Sequence, residues 1–188
     1  MLANTELKKE DKNKANAFFF YKHMEKESKR ELIVYLLILV AIILIRSFII
    51  TPVRVSGSSM DNTLHDGEIL FLNKINYRFN DIKRFDIVVI YYNDDKLIKR
   101  VIGLPGETLE YKDNKLYING EVVDEPFLEE ETEDYLYEGT IKDNCYFAVG
   151  DNRSDSLDSR YFGCFDKDNI EGKVSFALFP FKDFGKIN

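Results

Sequence analysis

The chain of 188 residues is 45% hydrophobic, 14% aromatic and 31% charged, with a net charge of −7 and no tryptophan. That length suits one compact domain with an appendage; the aromatic content excludes disorder, and the acidic balance argues against nucleic acid, whose binders present a basic face. Two cysteines are too few for a disulfide scaffold or a four-thiolate zinc site.

Residues 1–31 are polar and charged, and the apolar residues follow abruptly. Leu32 to Ile45 carry no charge, and Phe48-Ile49-Ile50 extends the run beyond Arg46 and Ser47, so that residues 32–50 make nineteen positions. At ~1.5 Å per residue, nineteen helical residues cover roughly the ~30 Å hydrocarbon core, which predicts a single transmembrane helix. Arg46 lies near enough to its end for the guanidinium to snorkel to the interface. The helix is expected to stop at Thr51, because Pro52 disfavours helical geometry in the residue before it. A cleaved signal peptide also has an apolar run behind positive charge, but here 31 residues precede the run. Lys22, Lys26, Lys29 and Arg30 lie before the span, and Arg54 stands alone after it until Lys74. The positive-inside rule then puts residues 1–31 in the cytoplasm and residues 51–188 outside, at the cell membrane. The charge divides accordingly, +3 over residues 1–50 and −10 over the remainder.

Beyond the span the sequence reads as strands. Ile69–Leu72, Asp86–Tyr92 and Leu97–Ile102 are β-branched or aromatic runs bounded by the turn residues His65-Asp66-Gly67, Asn93-Asp94-Asp95 and Gly103-Leu104-Pro105-Gly106. Thr108 to Val123 reads as three short strands joined at Asp113-Asn114 and Asn119-Gly120. Tyr146–Val149 and Lys173–Phe179 complete the set. No stretch of helix length with a 3.6-residue period follows residue 51, so the outer domain is expected to be mainly all-β. Glu121–Glu138 holds nine acids and no base, which reads as a solvated loop.

Candidate chemistry narrows by elimination. HExxH, GxxxxGK[ST] and GxSxG are absent. Of two histidines, His23 is on the cytoplasmic side and His65 occupies a turn, so a Ser-His-Asp triad has one poor outer candidate. Three polar segments remain. Val53–Leu64 carries Ser56, Ser58 and Ser59 around Gly57, in a turn where a hydroxyl can meet backbone N–H groups; a flexible linker has the same composition. Lys99 and Arg100 interrupt an apolar strand, and alternation sends them to opposite faces, so that one points inward unless the strand is a solvated edge. A buried lysine loses its charge more readily and becomes a usable base. Gly150–Gly163 holds two Arg, three Asp and three Ser, as either a polar loop or a brace for a site.

Taken together, these segments resemble the bacterial type I signal peptidases, the membrane-anchored serine proteases that remove signal peptides from exported proteins. The resemblance rests on Ser59-Met60, the Asp86–Ile90 strand, Lys99–Glu107 (KRVIGLPGE) and Gly150–Gly163 (GDNRSDSLDSRYFG), and one span with the catalytic part outside is similar to the Gram-positive form. It implies a Ser-Lys dyad and an acyl-enzyme, with Ser59 as nucleophile, rather than Ser56 or Ser58, and Lys99 as general base. Ser156 is expected to orient the lysine, Asp158 and Arg160 to form an ion pair, and Asp151, Asn152 and Arg153 to brace the loop. Val53, Val55, Met60, Leu64 and Ile98 are expected to wall pockets for small residues before the cut. Gly57 stands where many relatives carry an oxyanion-binding serine, leaving backbone N–H groups such as that of Ser59. Asn62 replaces the family's usual proline, and the acidic stretch matches no motif. The resemblance implies no cofactor and no metal, and as partners pre-proteins, the lipid bilayer and the secretion translocon, with no nucleic acid. Self-cleaving Ser-Lys proteases of the SOS-repressor type share the fold, but are soluble and bind DNA; a membrane-anchored β adaptor is the non-enzymatic alternative. Whether Cys145 and Cys164 pair is open at this point, since sequence separation says nothing about Cα distance.

Overall fold

The structure, a computed structural model, describes residues 30–44 and 50–187. The chain forms two compact units, divided between Arg46 and Ser47. In the first, residues 30–44 form helix α1, and its apolar side chains are exposed, among them Leu32, Leu36, Leu39 and Ile43. Among the described residues no helix is long and apolar enough to cross a membrane. Residues 45–49 of the expected span, Arg46 included, lie outside the described residues. The expected boundary moves: Ile50 and Thr51 belong to a strand rather than to the end of the helix. Pro52, which disfavours helical geometry at Thr51, is tolerated because this strand lies at a sheet edge.

The second unit is built almost wholly from antiparallel strands, as its sequence predicts. They are β1 (Ile50–Arg54), β2 (Ile69–Asn73), β3 (Ile87–Tyr92), β4 (Asp95–Gly103), β5 (Leu109–Lys112), β6 (Lys115–Ile118), β7 (Glu121–Val123), β8 (Tyr135–Leu136), β9 (Cys145–Val149), β10 (Phe165–Asp166), β11 (Ile170–Phe179) and β12 (Gly185–Lys186). The larger sheet runs β1-β2-β11-β3-β4-β9-β10 with β12 beside β11, and the smaller runs β7-β6-β5-β8. Two four-residue helices, α2 (Asn76–Phe79) and α3 (Ser159–Phe162), are too short to carry a periodic signal. The hairpin turns form where expected, at Asn93-Asp94, Asp113-Asn114 and Asn119-Gly120. Both residues of each pair have positive φ, the geometry that matches strand twist and selects Asn, Asp and Gly.

Three apolar clusters make the core. Met60, Leu64, Leu70, Leu72 and Val89 lie together beneath the β1–β2 end. Ile102, Tyr111, Leu116, Ile141 and Phe147 join the small sheet to β9, and Val88, Ile90, Val101 and Ala148 fill the opposite face of the large one. The acidic 121–138 stretch is not simply a solvated loop. It contains β7 and β8, and Thr132 is buried while Glu125 forms a buried ion pair with Arg153. A carboxylate is stable there because the guanidinium compensates its desolvation.

Candidate active site

The pairing of β3 with β4 puts Lys99 opposite Val88 and Arg100 opposite Ile87, and neighbouring side chains leave opposite faces of the pleat. Both cations are buried, Lys99 at 2% exposure and Arg100 at 1%. Arg100 is neutralised by Asp151 at 2.7 Å, with Thr63 and the Phe85 carbonyl taking further N–H groups and Phe127 stacked 3.8 Å from the guanidinium. Among the described residues no salt bridge forms on Lys99; its Nζ donates to Ser59 Oγ at 2.7 Å. Burial lowers its pKa to about 8, against the attraction of Asp158, with the Arg160 charge reinforcing the fall and Asp151 and Asp155 opposing it. A neutral amine is therefore available near physiological pH, hydrogen-bonded to a serine hydroxyl.

Ser59 is presented by the segment that follows β1. Val55 is tied back by Val55 N–H to the Glu68 carbonyl (2.8 Å) and by Gly67 N–H to the Val55 carbonyl (3.0 Å). The chain then reverses at Gly57, whose φ of +92° lies in the left-handed region, where a side chain would be strained. Gly57 N–H is committed to Asp66 Oδ1 at 2.9 Å. Met60 is buried and its carbonyl receives Thr63 and Leu64 N–H, so the serine stands on a turn rooted in the core. From the other side the 150–163 loop grips the turn: Asn152 N–H reaches the Ser59 carbonyl at 3.2 Å and Asn152 Nδ2 the Ser58 carbonyl at 3.1 Å, while Ser58 Oγ donates to Asp155.

Behind the lysine lies Asp158, fully buried. Its burial raises the pKa, but hydrogen bonds from Arg160 and Ser156 and the Arg160 charge overcome that, so the carboxylate stays ionised below its usual range. Arg160 meets it through Nε and Nη2, each at 2.9 Å, and Gly150 N–H adds a bond at 3.1 Å. The Ser156 hydroxyl donates to Asp158 at 2.6 Å, so among the described residues its hydrogen bond goes to the carboxylate behind Lys99. Arg153 lies deeper, bonded to the Gly150 carbonyl, Thr132 and Glu125.

A cavity of about 350 Å³ opens beside Ser59 and Lys99, between β1 and the Lys96–Lys99 part of β4. Val53, Val55, Met60 and Ile98 line it, as does Val89. Leu64, grouped with them in the sequence, is instead 1% exposed in the core and borders a different hollow with His65 and Phe127. Its N–H closes the turn begun at Met60, which aims its side chain inward. His65 is largely exposed and faces Asp61 at 3.5 Å. Among the described residues no cluster of His, Cys, Asp and Glu is arranged to hold a metal ion.

Several contributors are not evident from the sequence. Gly150 is one: a Cβ there would stand 2.3 Å from both Ser156 Oγ and the Ser59 carbonyl, so only glycine lets the two segments meet. Its place just before Asp151-Asn152-Arg153 was the available signal. Thr63, Glu125 and Asp155 gave none, because their partners lie 88, 28 and 97 residues away in sequence.

Comparison with known proteins converges on one family. The family described as signal peptidase, peptidase S26, matches residues 29–179. Signal peptidase IB of Staphylococcus aureus is 39% identical over 181 residues, covering 86% of this chain and 94% of that protein. Signal peptidase I S of Bacillus subtilis is 43% identical over 158 residues, covering 78% and 86%. A crystal structure of a signal peptidase I from Enterococcus faecalis is 38% identical, with a TM-score of 0.48 over 51% of this chain and 98% of that one.

Proposed function

This chain belongs to the peptidase S26 signal peptidases, and from that premise we propose that it cleaves signal peptides from exported pre-proteins with a Ser59–Lys99 dyad. The observation that carries the reading is the 2.7 Å contact between a serine hydroxyl and a buried amine whose pKa is about 8. At pH 7 roughly a tenth of such an amine is neutral, against under ~0.1% of an ordinary lysine. Neutral Lys99 takes the Ser59 proton as Oγ attacks the scissile carbonyl carbon, giving a tetrahedral oxyanion. Ser59 N–H, which bonds no other group among the described residues, is the oxyanion donor; Gly57 N–H is already held by Asp66. As the intermediate collapses, the Lys99 ammonium gives its proton to the departing amine and an acyl-enzyme remains. Water, deprotonated by the same amine, then attacks the ester and frees Ser59.

The substrate lies extended in the cavity beside β1. That strand is at the end of the sheet, so its outer edge can accept a further strand, and Val53, Val55 and Ile98 favour short side chains before the cut. Asp158, Ser156 and Arg160 keep the lysine in place, and Asp151, Asn152 and Arg153 hold the loop that carries them. The apolar segment 32–49 anchors the chain in the plasma membrane, with residues 1–31 cytoplasmic and 50–188 outside. Support for this comes from the helix over residues 30–44, whose exposed apolar surface suits lipid better than water, and from the basic residues before it.

Purified full-length protein in detergent is to be incubated with a pre-protein bearing a signal peptide, and the products weighed by mass spectrometry. Cleavage after a small residue is expected from wild type and from Ser56→Ala, and none from Ser59→Ala or Lys99→Ala. Cleavage by folded Ser59→Ala at the wild-type rate would overturn the assignment.

A further inference from the structure

Cys145 and Cys164 are joined by a disulfide, with their Cα atoms 5.6 Å apart and a separation of 19 positions in the sequence. What lies between them is the loop that grips the active site. Cys145 opens β9, the chain leaves the sheet at Gly150, and it returns through α3 and Cys164 to β10, which pairs back onto the start of β9. Asn152, Asp155, Ser156, Asp158 and Arg160 therefore all sit on one excursion, and a single covalent bond closes its neck. The outgoing leg is a strand in a wide sheet. The returning leg has fewer strand bonds: a two-residue ladder, Ala148 N–H to Ser159 Oγ at 2.9 Å, Gly150 N–H to Asp158 Oδ2 at 3.1 Å, Lys167 N–H to the Asn144 carbonyl at 2.8 Å, the Tyr137 hydroxyl to Cys164 Sγ at 3.6 Å, and Phe162 and Phe165 against Tyr92. Asp158 and Arg160 belong to that leg.

We propose that the Cys145–Cys164 disulfide is a positioning element for the Ser59–Lys99 pair, fixing the returning leg so that Asp158, Ser156 and Arg160 keep their places behind the lysine. The inference rests on the dyad reading above. Breaking the bond leaves the sheet intact and gives the leg freedom of movement, and placement errors of about 1 Å can cost on the order of 100-fold in rate. The bond is also chemically accessible from one end, because Cys164 is partly exposed while Cys145 is buried. A dithiol thiolate attacking the Cys164 sulfur expels the Cys145 thiolate. The second reagent thiol then displaces Cys164, leaving two protein thiols and the reagent as its cyclic disulfide. The two electrons and two hydrogens come from the dithiol.

The test uses full-length protein in detergent and a pre-protein substrate. Four forms are compared: oxidised wild type, wild type reduced with dithiothreitol and capped with iodoacetamide, wild type reduced and then reoxidised, and C145A/C164A. Circular dichroism reports folding, and kcat, KM and the pH profile of kcat are measured separately. Expected is a folded reduced protein and a folded double variant, each with kcat down at least tenfold and KM within about twofold. The acidic limb should move to higher pH, since a loosened leg admits water to the amine. Reoxidation restores the reduced wild type. The proposal is overturned if folded reduced protein keeps its kcat and pH profile, or if loss of activity simply follows loss of the folded signal in both forms. Oxidised wild type that fails to cleave would instead sink the dyad reading, which keeps the two failures apart.

Discussion

Replacing Lys99 by methionine should abolish cleavage and at the same time stabilise the fold. Burial holds the amine at about 8 against an ordinary lysine at 10.5. At ~1.4 kcal/mol per pH unit, keeping an ionisable amine there costs the folded state about 3 kcal/mol at pH 7. Because the folded pKa lies below the unfolded one, the cost is complete below pH 8. It shrinks as the pH rises from 8 to 10.5, and is absent above. Methionine has similar length and no charge, and gives up only the hydrogen bond to Ser59, worth about 1 kcal/mol. Lys99→Met should therefore be about 1–3 kcal/mol more stable than wild type at pH 7 and about equal to it at pH 10. Loss of the base should lower turnover by about 10²–10⁴-fold or more. Urea unfolding of both proteins at the two pH values, beside the cleavage assay, measures each part. A variant less stable than wild type at pH 7, or a gain that does not change with pH, would refute the claim that desolvation sets the lysine.

Wild-type kcat/KM should rise about tenfold per pH unit on its acidic side and level off near pH 8, where Lys99 becomes neutral, as a pH profile in constant-ionic-strength buffer will show. Asp155→Asn removes one of the charges that favour protonated Lys99 and frees Ser58, so the acidic limb should move below pH 8, an effect Ser58→Ala should not share. Gly150→Ala puts a methyl 2.3 Å from both Ser156 Oγ and the Ser59 carbonyl; a loss of about 100-fold in kcat with KM little changed is expected in steady-state kinetics. Glu125→Gln strips the charge partner from buried Arg153 and should cost about 3–5 kcal/mol in urea unfolding, although Glu125 belongs to the acidic stretch.

Much of this protein follows from local chemistry that a sequence carries openly. Strand alternation, the three turns with positive-φ Asn, Asp and Gly pairs, and the absence of a 3.6-residue period after residue 51 lead to an antiparallel β domain. Those signals are local because each depends on residues within a turn or a pleat of one another. The candidate catalytic segments were also readable as blocks, and the resemblance to a known family suggested roles within them. What the sequence left undecided were relations across long stretches of chain. Alternation separated Lys99 from Arg100, but only the packing of β3 and β4 shows that both are buried, one neutralised by Asp151 and the other left to Ser59. Glu125 looked like one more solvated acid until Arg153 was found beside it, and Leu64 looked like a pocket wall until the turn at Met60 drove it inward. The cysteines were two isolated thiols in the sequence, yet tertiary pairing of β9 with β10 brings them together at the neck of the active-site loop. A side chain's type sets what it can do, while its pKa and partners depend on desolvation and fields from residues far away in sequence, which exist only once the chain has folded.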